Sequence, residues 1–159
     1  MNISLHLGGT GKTYLMNLIL ASIRSNGDIA LAVASSGIAA TLLAGGRTAH
    51  STFRLPLNLA VNDTPVCNVG KNSKEAGLLR QTKIVLIDEV SMLHKRGVEA
   101  INRLLQDLKD NDRLFGGITF VLAGDFRQCL PVIAGGNSAD QLNACLKSSF
   151  LWKHVKVLK

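Results

Sequence analysis

The stretch Ile84-Val85-Leu86-Ile87-Asp88-Glu89 runs four apolar residues into two carboxylates. A short, β-branched apolar run of this kind reads as a strand buried on both faces. Such a strand has no structural use for two acids at its end. At the C-terminal end of a strand in an open α/β sheet, however, acids face the crevice where ligands bind. There Asp88 can hold Mg²⁺ through water, and Glu89 can orient or deprotonate a water that attacks a γ-phosphate. The plain alternative is a solvated acidic turn.

Outward from this stretch, β-branched apolar runs alternate with segments of helical spacing. This is the pattern of a mostly parallel sheet covered by helices on both faces. Residues 29–34 (IALAVA), 83–87 (KIVLI) and 118–123 (ITFVLA) read as buried strands, 155–158 as a weaker one and 2–7 as a ragged first one. Leu15, Leu18, Ile19 and Ile23 share one helical face, as do Ile101, Leu104, Leu105 and Leu108. Gly27 and the Asp110-Asn111-Asp112 cluster supply helix stops. Residues 55–74 hold two of the three prolines and many Asn and Asp, and read as a surface loop or insertion.

Some 75 residues before the paired acids, Gly8-Gly9-Thr10-Gly11-Lys12-Thr13 opens the first clear helix. Glycines let successive backbone N–H groups curl around an anion, the helix start adds partial positive charge, and Lys12 reaches toward the terminal phosphates. Thr13 would ligate Mg²⁺ through its hydroxyl. The full phosphate-loop pattern asks for a further glycine where this chain has His6. A glycine turn that merely precedes a helix is the competing reading.

Two more segments follow strands. Gly124-Asp125-Phe126-Arg127-Gln128 lies directly after an apolar run, and Gln128 can hydrogen-bond a γ-phosphate or attacking water; taken alone, the pentapeptide is equally a polar loop. Residues 34–40 (ASSGIAA) and 45–53 (GGRTAHSTF) combine small hydroxyl residues with exposed backbone amides, which suit a phosphodiester backbone, while His50 and Phe53 could stack on bases. Ser35-Ser36 could instead cap a helix, and Phe53 could sit in the core.

At 159 residues the chain has the size of one domain, and its 47% apolar content lets it bury a core. Disorder and collagen-like order are excluded. The longest apolar run, six residues at 29–34, is far short of the roughly 20 that cross a bilayer. No export signal is read in residues 1–7. Cys67, Cys129 and Cys145 are spaced for neither a disulfide framework nor zinc, so reduced thiols in a cytosolic or nuclear setting are expected. The net charge of +7 favours a polyanionic partner such as nucleic acid. Residues 147–159 contribute +4 of it, which a solvated tail explains equally well.

Together the runs GGTGKTYL (8–15), ASSGIAATLL (34–43), GGRTAHSTF (45–53), LIDEVSML (86–93) and GDFRQCLPV (124–132) resemble the first motor domain of the Pif-type DNA helicases of superfamily one, Helitron-encoded helicases among them. The resemblance extends over residues 8–159, and Phe150-Leu151-Trp152 fits it too. It implies a RecA-like P-loop fold, Mg²⁺-dependent ATP hydrolysis and 5′ to 3′ movement on single-stranded DNA. By motif position it places Gly8, Gly9, Thr10, Gly11, Lys12 and Thr13 in the Walker A loop, Asp88 and Glu89 in Walker B, and Gln128 at the γ-phosphate sensor. The catalytic set is then Lys12, Glu89 and Gln128, with Thr13 and Asp88 on the metal. Ser35, Ser36, Gly37, His50, Ser51 and Phe53 fall in segments that contact single-stranded DNA.

The same resemblance implies roles in DNA repair, recombination and telomere maintenance, in the nucleus or mitochondrion of a eukaryote or otherwise the cytoplasm, with no membrane partner. His6 and Leu7 stand where the family has glycine and proline, so a mis-set start is expected over residues 1–7. The chain is expected to be a single motor domain of a longer protein whose second RecA-like domain, with its arginine fingers, is absent from it. The alternatives are a P-loop remnant that binds nucleotide or DNA without hydrolysis and, less consistent with Asp88-Glu89, a small-molecule kinase.

Overall fold

The computed structural model describes residues 2–5, 11–127 and 130–158. Its strands are β1 (Asn2–Leu5), β2 (Ile29–Ala34), β3 (Arg47–Thr48), β4 (Thr82–Asp88), β5 (Thr119–Ala123) and β6 (Val155–Leu158). They form one sheet in the order β3-β2-β4-β5-β1-β6, with every neighbouring pair parallel. The helices are α1 (Lys12–Ser25), α2 (Gly37–Thr41), α3 (Ala49–Phe53), α4 (Lys74–Gln81), α5 (Lys95–Lys109) and α6 (Ser138–Ala144). This is the expected α/β architecture of RecA-like type.

Both faces of the sheet are covered, which explains why β4 is apolar without alternation. Ile84 and Leu86 pack with Met16 and Leu20 of α1, whereas Val85 and Ile87 join Ile101 and Leu105 of α5 and Phe120 and Leu122 of β5 in a larger cluster. Phe115 stacks on Phe120 at a centroid separation of 3.9 Å.

On helix α1 the expected Leu15, Ile19 and Ile23 pack against the cluster in which Met16 and Leu20 are fully buried. Leu18 departs from the expected stripe and is 54% exposed. On α5 the expected stripe is right, with Ile101, Leu105 and Leu108 buried and Leu104 packed beside them. The stops are also where they were read: Gly27 takes φ +80°, and Asp110 is the left-handed C-cap of α5.

The 55–74 stretch has no helix or strand before α4 begins at Lys74. It is nevertheless anchored rather than loose. Leu55, Leu59 and Cys67 are buried, Arg96 donates to the Ala60 carbonyl at 2.6 Å, and Arg103 donates to the Pro65 carbonyl at 2.8 Å. Among the described residues no helix is long and apolar enough to cross a membrane.

The register fixes where the chemistry lies. Ala34 is level with Asp88, Ile87 with Leu122, and Leu5 with Ala123. The C-terminal ends of β1, β5, β4 and β2 therefore form one edge. Among the described residues, the segments at this edge carry residues 124–127, the paired acids and Ser35.

Candidate functional site

Helix α1 starts at Lys12 behind Gly11, whose φ of +141° is open to glycine and closed to most side chains. Lys12 thus enters the site from the first helical turn. Its Nζ lies 3.7 Å from Glu89 Oε1, and its side chain is only 13% exposed. Lys12 and Glu89, separated by 77 positions and expected from the sequence to share one pocket, lie side by side. Thr13 follows Lys12 in the same turn and is half-buried.

Asp88 ends β4 and is 3% exposed. Its Oδ1 accepts the Glu89 amide at 2.9 Å, and its carbonyl accepts the Ser35 amide at 3.2 Å. An acid buried and held at both ends is not a solvated turn. Glu89 takes φ 51° and ψ 39°, a left-handed conformation uncommon for a residue with a side chain. That conformation turns the chain out of the strand into a 3₁₀ turn, Val90–Met92, in which Met92 donates its amide to the Glu89 carbonyl at 3.0 Å. Strain of this kind concentrates at functional sites.

The donor set suits Mg²⁺. This cation retains most of its water and takes one or two protein oxygens besides the substrate phosphates. Asp88 uses Oδ1 on a backbone amide, so its second oxygen and the Thr13 hydroxyl are the groups available. Among the described residues no cluster of three or more His, Cys, Asp or Glu forms an all-protein metal cage.

The end of β5 presses against the turn after Glu89. A side-chain carbon at Gly124 would lie 3.0 Å from the Ser91 amide nitrogen, tighter than an ordinary contact, so glycine eases the close approach of the two loops. Asp125 is 4% exposed and accepts from the Arg127 amide at 2.9 Å and from Arg127 Nε at 3.2 Å. Gly8, Gly9, Thr10 and Gln128 lie outside the described residues.

The segments expected to meet DNA divide. Ser36 is the N-cap of α2, accepting the Ala39 amide at 3.2 Å. Gly37 and Ser51 are exposed. Ser35 keeps its hydroxyl buried without a partner among the described residues. His50 is half-buried, and burial holds its pKa below 6.5. Phe53 corrects the expectation: it is 0% exposed and packed in the larger core cluster, so it is a core residue with no face for a base. His50 and Phe53 are three residues apart on a five-residue helix, and only packing of α3 onto the sheet decides which one turns inward.

Sequence reasoning gave no role to Ser91, Met92 or His94, although the first two lie inside the quoted 86–93 run. Ser91 Oγ is buried without a partner among the described residues, and Met92 and His94 line a cavity of about 180 Å³ together with Ser35 and His50. Only the turn forced by Glu89 aims them there.

Comparison with known proteins agrees with this arrangement. The model of the PIF1-like helicase family matches residues 5–159. The chain is 34% identical over 149 residues to the ATP-dependent DNA helicase Pif1 of Psychrobacter sp., covering 94% of this chain and 22% of that protein. The crystal structure of Bacteroides Pif1 bound to ssDNA superposes with a TM-score of 0.71 at 25% identity, covering 99% of this chain and 37% of the other. That of Bacteroides sp. Pif1 in complex with ADP-AlF4 gives 0.74 at 25% identity, covering 99% and 37%. The chain therefore spans about a fifth of the length of the Psychrobacter relative. With five motif runs in family order on a parallel sheet that brings Lys12 to Glu89, and a family model matched from residue 5 to the end, the chain belongs to the PIF1-like helicase family.

Proposed function

We propose that this chain is the first motor domain of an ATP-dependent DNA helicase, and that ATP hydrolysis at its Walker pocket drives 5′ to 3′ movement on single-stranded DNA. The observation that carries the reading is the approach of Lys12 Nζ to Glu89 Oε1 at 3.7 Å. A phosphate-binding cation and a water-activating acid are in ion-pair contact, facing one pocket.

In this reading Lys12 exchanges Glu89 for the terminal phosphates when nucleotide enters. Released from the cation, Glu89 orients a water for in-line attack and accepts its proton. Thr13 and Asp88 would hold Mg²⁺, which would supply charge neutralisation at the phosphates. Asp88 stays fixed by its hydrogen bond to the Glu89 amide, so the two acids keep a constant spacing. Gln128 reads the γ-phosphate from the loop after β5. An arginine finger comes from a second motor domain, and such a group is worth roughly 10³ to 10⁵ in rate. Ser35, Ser36, Gly37, His50 and Ser51 line the DNA side. Roles in repair, recombination and telomere maintenance, in nucleus or mitochondrion, belong to the same reading.

The test is a pair of measurements on the purified 159-residue chain. Fluorescent ATP analogue should bind, and phosphate release should run at least about 10³-fold below that of intact two-domain helicases. A chain that binds no nucleotide, or one that turns over at the full helicase rate, contradicts the proposal.

A further inference from the structure

Phe150-Leu151-Trp152 has no part in the chemistry above, and Trp152 is the only tryptophan of the chain. It stands half-buried at the start of a 3₁₀ turn, Trp152–His154, with its amide on the Ser149 carbonyl at 3.0 Å. Ser149 is itself buried, and its hydroxyl donates to Glu99 of α5 at 2.6 Å. The segment that carries Lys147 and Trp152 is thereby tied to the helix that backs the sheet.

From this platform two side chains reach the loop after β5. The Trp152 ring meets Phe126 edge-on, with centroids 5.4 Å apart and planes at 76°. Lys147 Nζ lies over the Phe126 ring, 4.9 Å from its centroid. Both arrangements are those that the charge distribution of an aromatic ring favours. Phe126 is 8% exposed, and its neighbours are engaged as well. Asp125 is buried and bonded to Arg127, and Gly124 comes close to Ser91 in the turn after Glu89. The loop is therefore anchored at Gly124 by the Glu89 turn and at Phe126 by Trp152 and Lys147.

The packing at Phe126 is incomplete. A cavity of about 270 Å³ opens beside it, lined also by Leu130, Leu142, Cys145, Lys147 and Ser148. A ring packed on all sides has one position, whereas a ring with this space beside it has room for a second. One aromatic pair biases such a choice by about two- to tenfold, and one exposed cation over a ring by about two- to fivefold. The contacts at Phe126 thus set a preference that a ligand on the loop can shift.

We propose that Trp152 and Lys147 are positioning residues for ATP cleavage. Acting through Phe126, they hold the 124–127 loop in the place from which Gln128, the next residue, meets the γ-phosphate. A nucleotide that engages Gln128 in turn shifts Phe126 against Trp152. The proposal rests on the ATPase reading above and adds to it residues that lie outside the phosphate pocket.

The experiment reads single-turnover cleavage of ATP, affinity for fluorescent ATP analogue and tryptophan emission on the full chain. Trp152→Ala should lower the cleavage rate by up to about tenfold while the analogue Kd stays within about twofold of the parent, and Trp152→Phe should recover the rate. Lys147→Met, which keeps the length of the side chain and loses its charge, should lower the rate about two- to fivefold. Lys147→Arg should recover it. In a Phe126→Leu background neither Trp152→Ala nor Lys147→Met should lower the rate further, because residues that act through one contact are not additive. Lys153→Ala, which removes the same charge beside Trp152, should change nothing. MgATP added to Glu89→Gln should shift the Trp152 emission, and Phe126→Leu in that protein should abolish the shift.

If the parent chain binds and cleaves ATP while Trp152→Ala cleaves as the parent does, the proposal is wrong and the ATPase reading stands. A Trp152→Ala variant that loses analogue affinity and cleavage in equal measure overturns it too, and so does one whose loss persists in the Phe126→Leu background. In either case the tryptophan serves the fold alone. If the parent chain does not bind ATP, or binds and does not cleave it, both readings fall.

Discussion

Lys12 Nζ stands 3.7 Å from Glu89 Oε1, with the lysine side chain 13% exposed and the glutamate 35%. The pair links α1 to the end of β4 across 77 residues of sequence, and in the proposed function nucleotide takes the lysine from the glutamate. Lys12→Ala should therefore weaken binding of fluorescent ATP analogue by roughly ten- to a hundredfold, the worth of one hydrogen bond to a charged group. Glu89→Gln should bind at least as well as the parent, because the lysine loses its competitor and the phosphates lose a like charge. Single-turnover cleavage should drop by about 10² to 10⁴, as for removal of a general base. An unchanged cleavage rate in Glu89→Gln would take that residue out of the mechanism.

Asp88 is predicted to act through the cation. Chelation with EDTA should raise the apparent Kd for ATP analogue in the parent chain and have little effect in Asp88→Asn, whose affinity is already reduced. Asparagine retains an oxygen for the Glu89 amide, so the melting temperature of this variant should change little. Equal sensitivity to EDTA in both proteins would place the metal elsewhere.

Phe53 and His50, neighbours on α3, should separate cleanly in stability measurements. Phe53→Ala empties a fully buried site and should cost about 3 to 5 kcal/mol in urea unfolding. His50→Ala, on the wall of the cavity it shares with Ser35, should cost under about 1 kcal/mol. A mild Phe53→Ala variant with impaired DNA binding would restore the base-stacking role that its burial denies.

His50 and His94 both have pKa values below 6.5, chiefly because burial disfavours the imidazolium. Arg96 and Lys95 add to the effect at His94, and Glu99 opposes it. The folded protein resists protonation, whereas the unfolded chain takes up protons near 6.5, so stability is full above that pH and falls as pH drops toward the folded values. Melting temperature should hold steady from about pH 8 to 7 and decline by about pH 5.5. A His50→Gln, His94→Gln double variant should decline less over that window. An equally steep decline in the double variant would assign the effect to other groups.

Local sequence decided a good deal about this protein. The apolar run before Asp88 and Glu89 could only be a strand buried on both faces, and glycine before Lys12 could only open a helix, because these outcomes follow from hydrophobic pattern and backbone freedom within a few residues. The order of the motif runs was equally readable, and with it the family. Burial direction was not. Of the two candidates on α3, Phe53 went into the core and His50 stayed half-buried, and Leu18 turned outward while Met16 turned in, because short or broadly apolar helices take their orientation from the sheet beneath them.

The site itself was made by tertiary structure. Strand order sets β5 between β1 and β4, which lets Gly124 meet Ser91 and brings Lys12 to Glu89. Phe126 likewise meets Lys147 and Trp152, each more than 20 positions further along the chain. Contacts of that kind arise only when side chains far apart in sequence compete for the same space, so no window of sequence contains them.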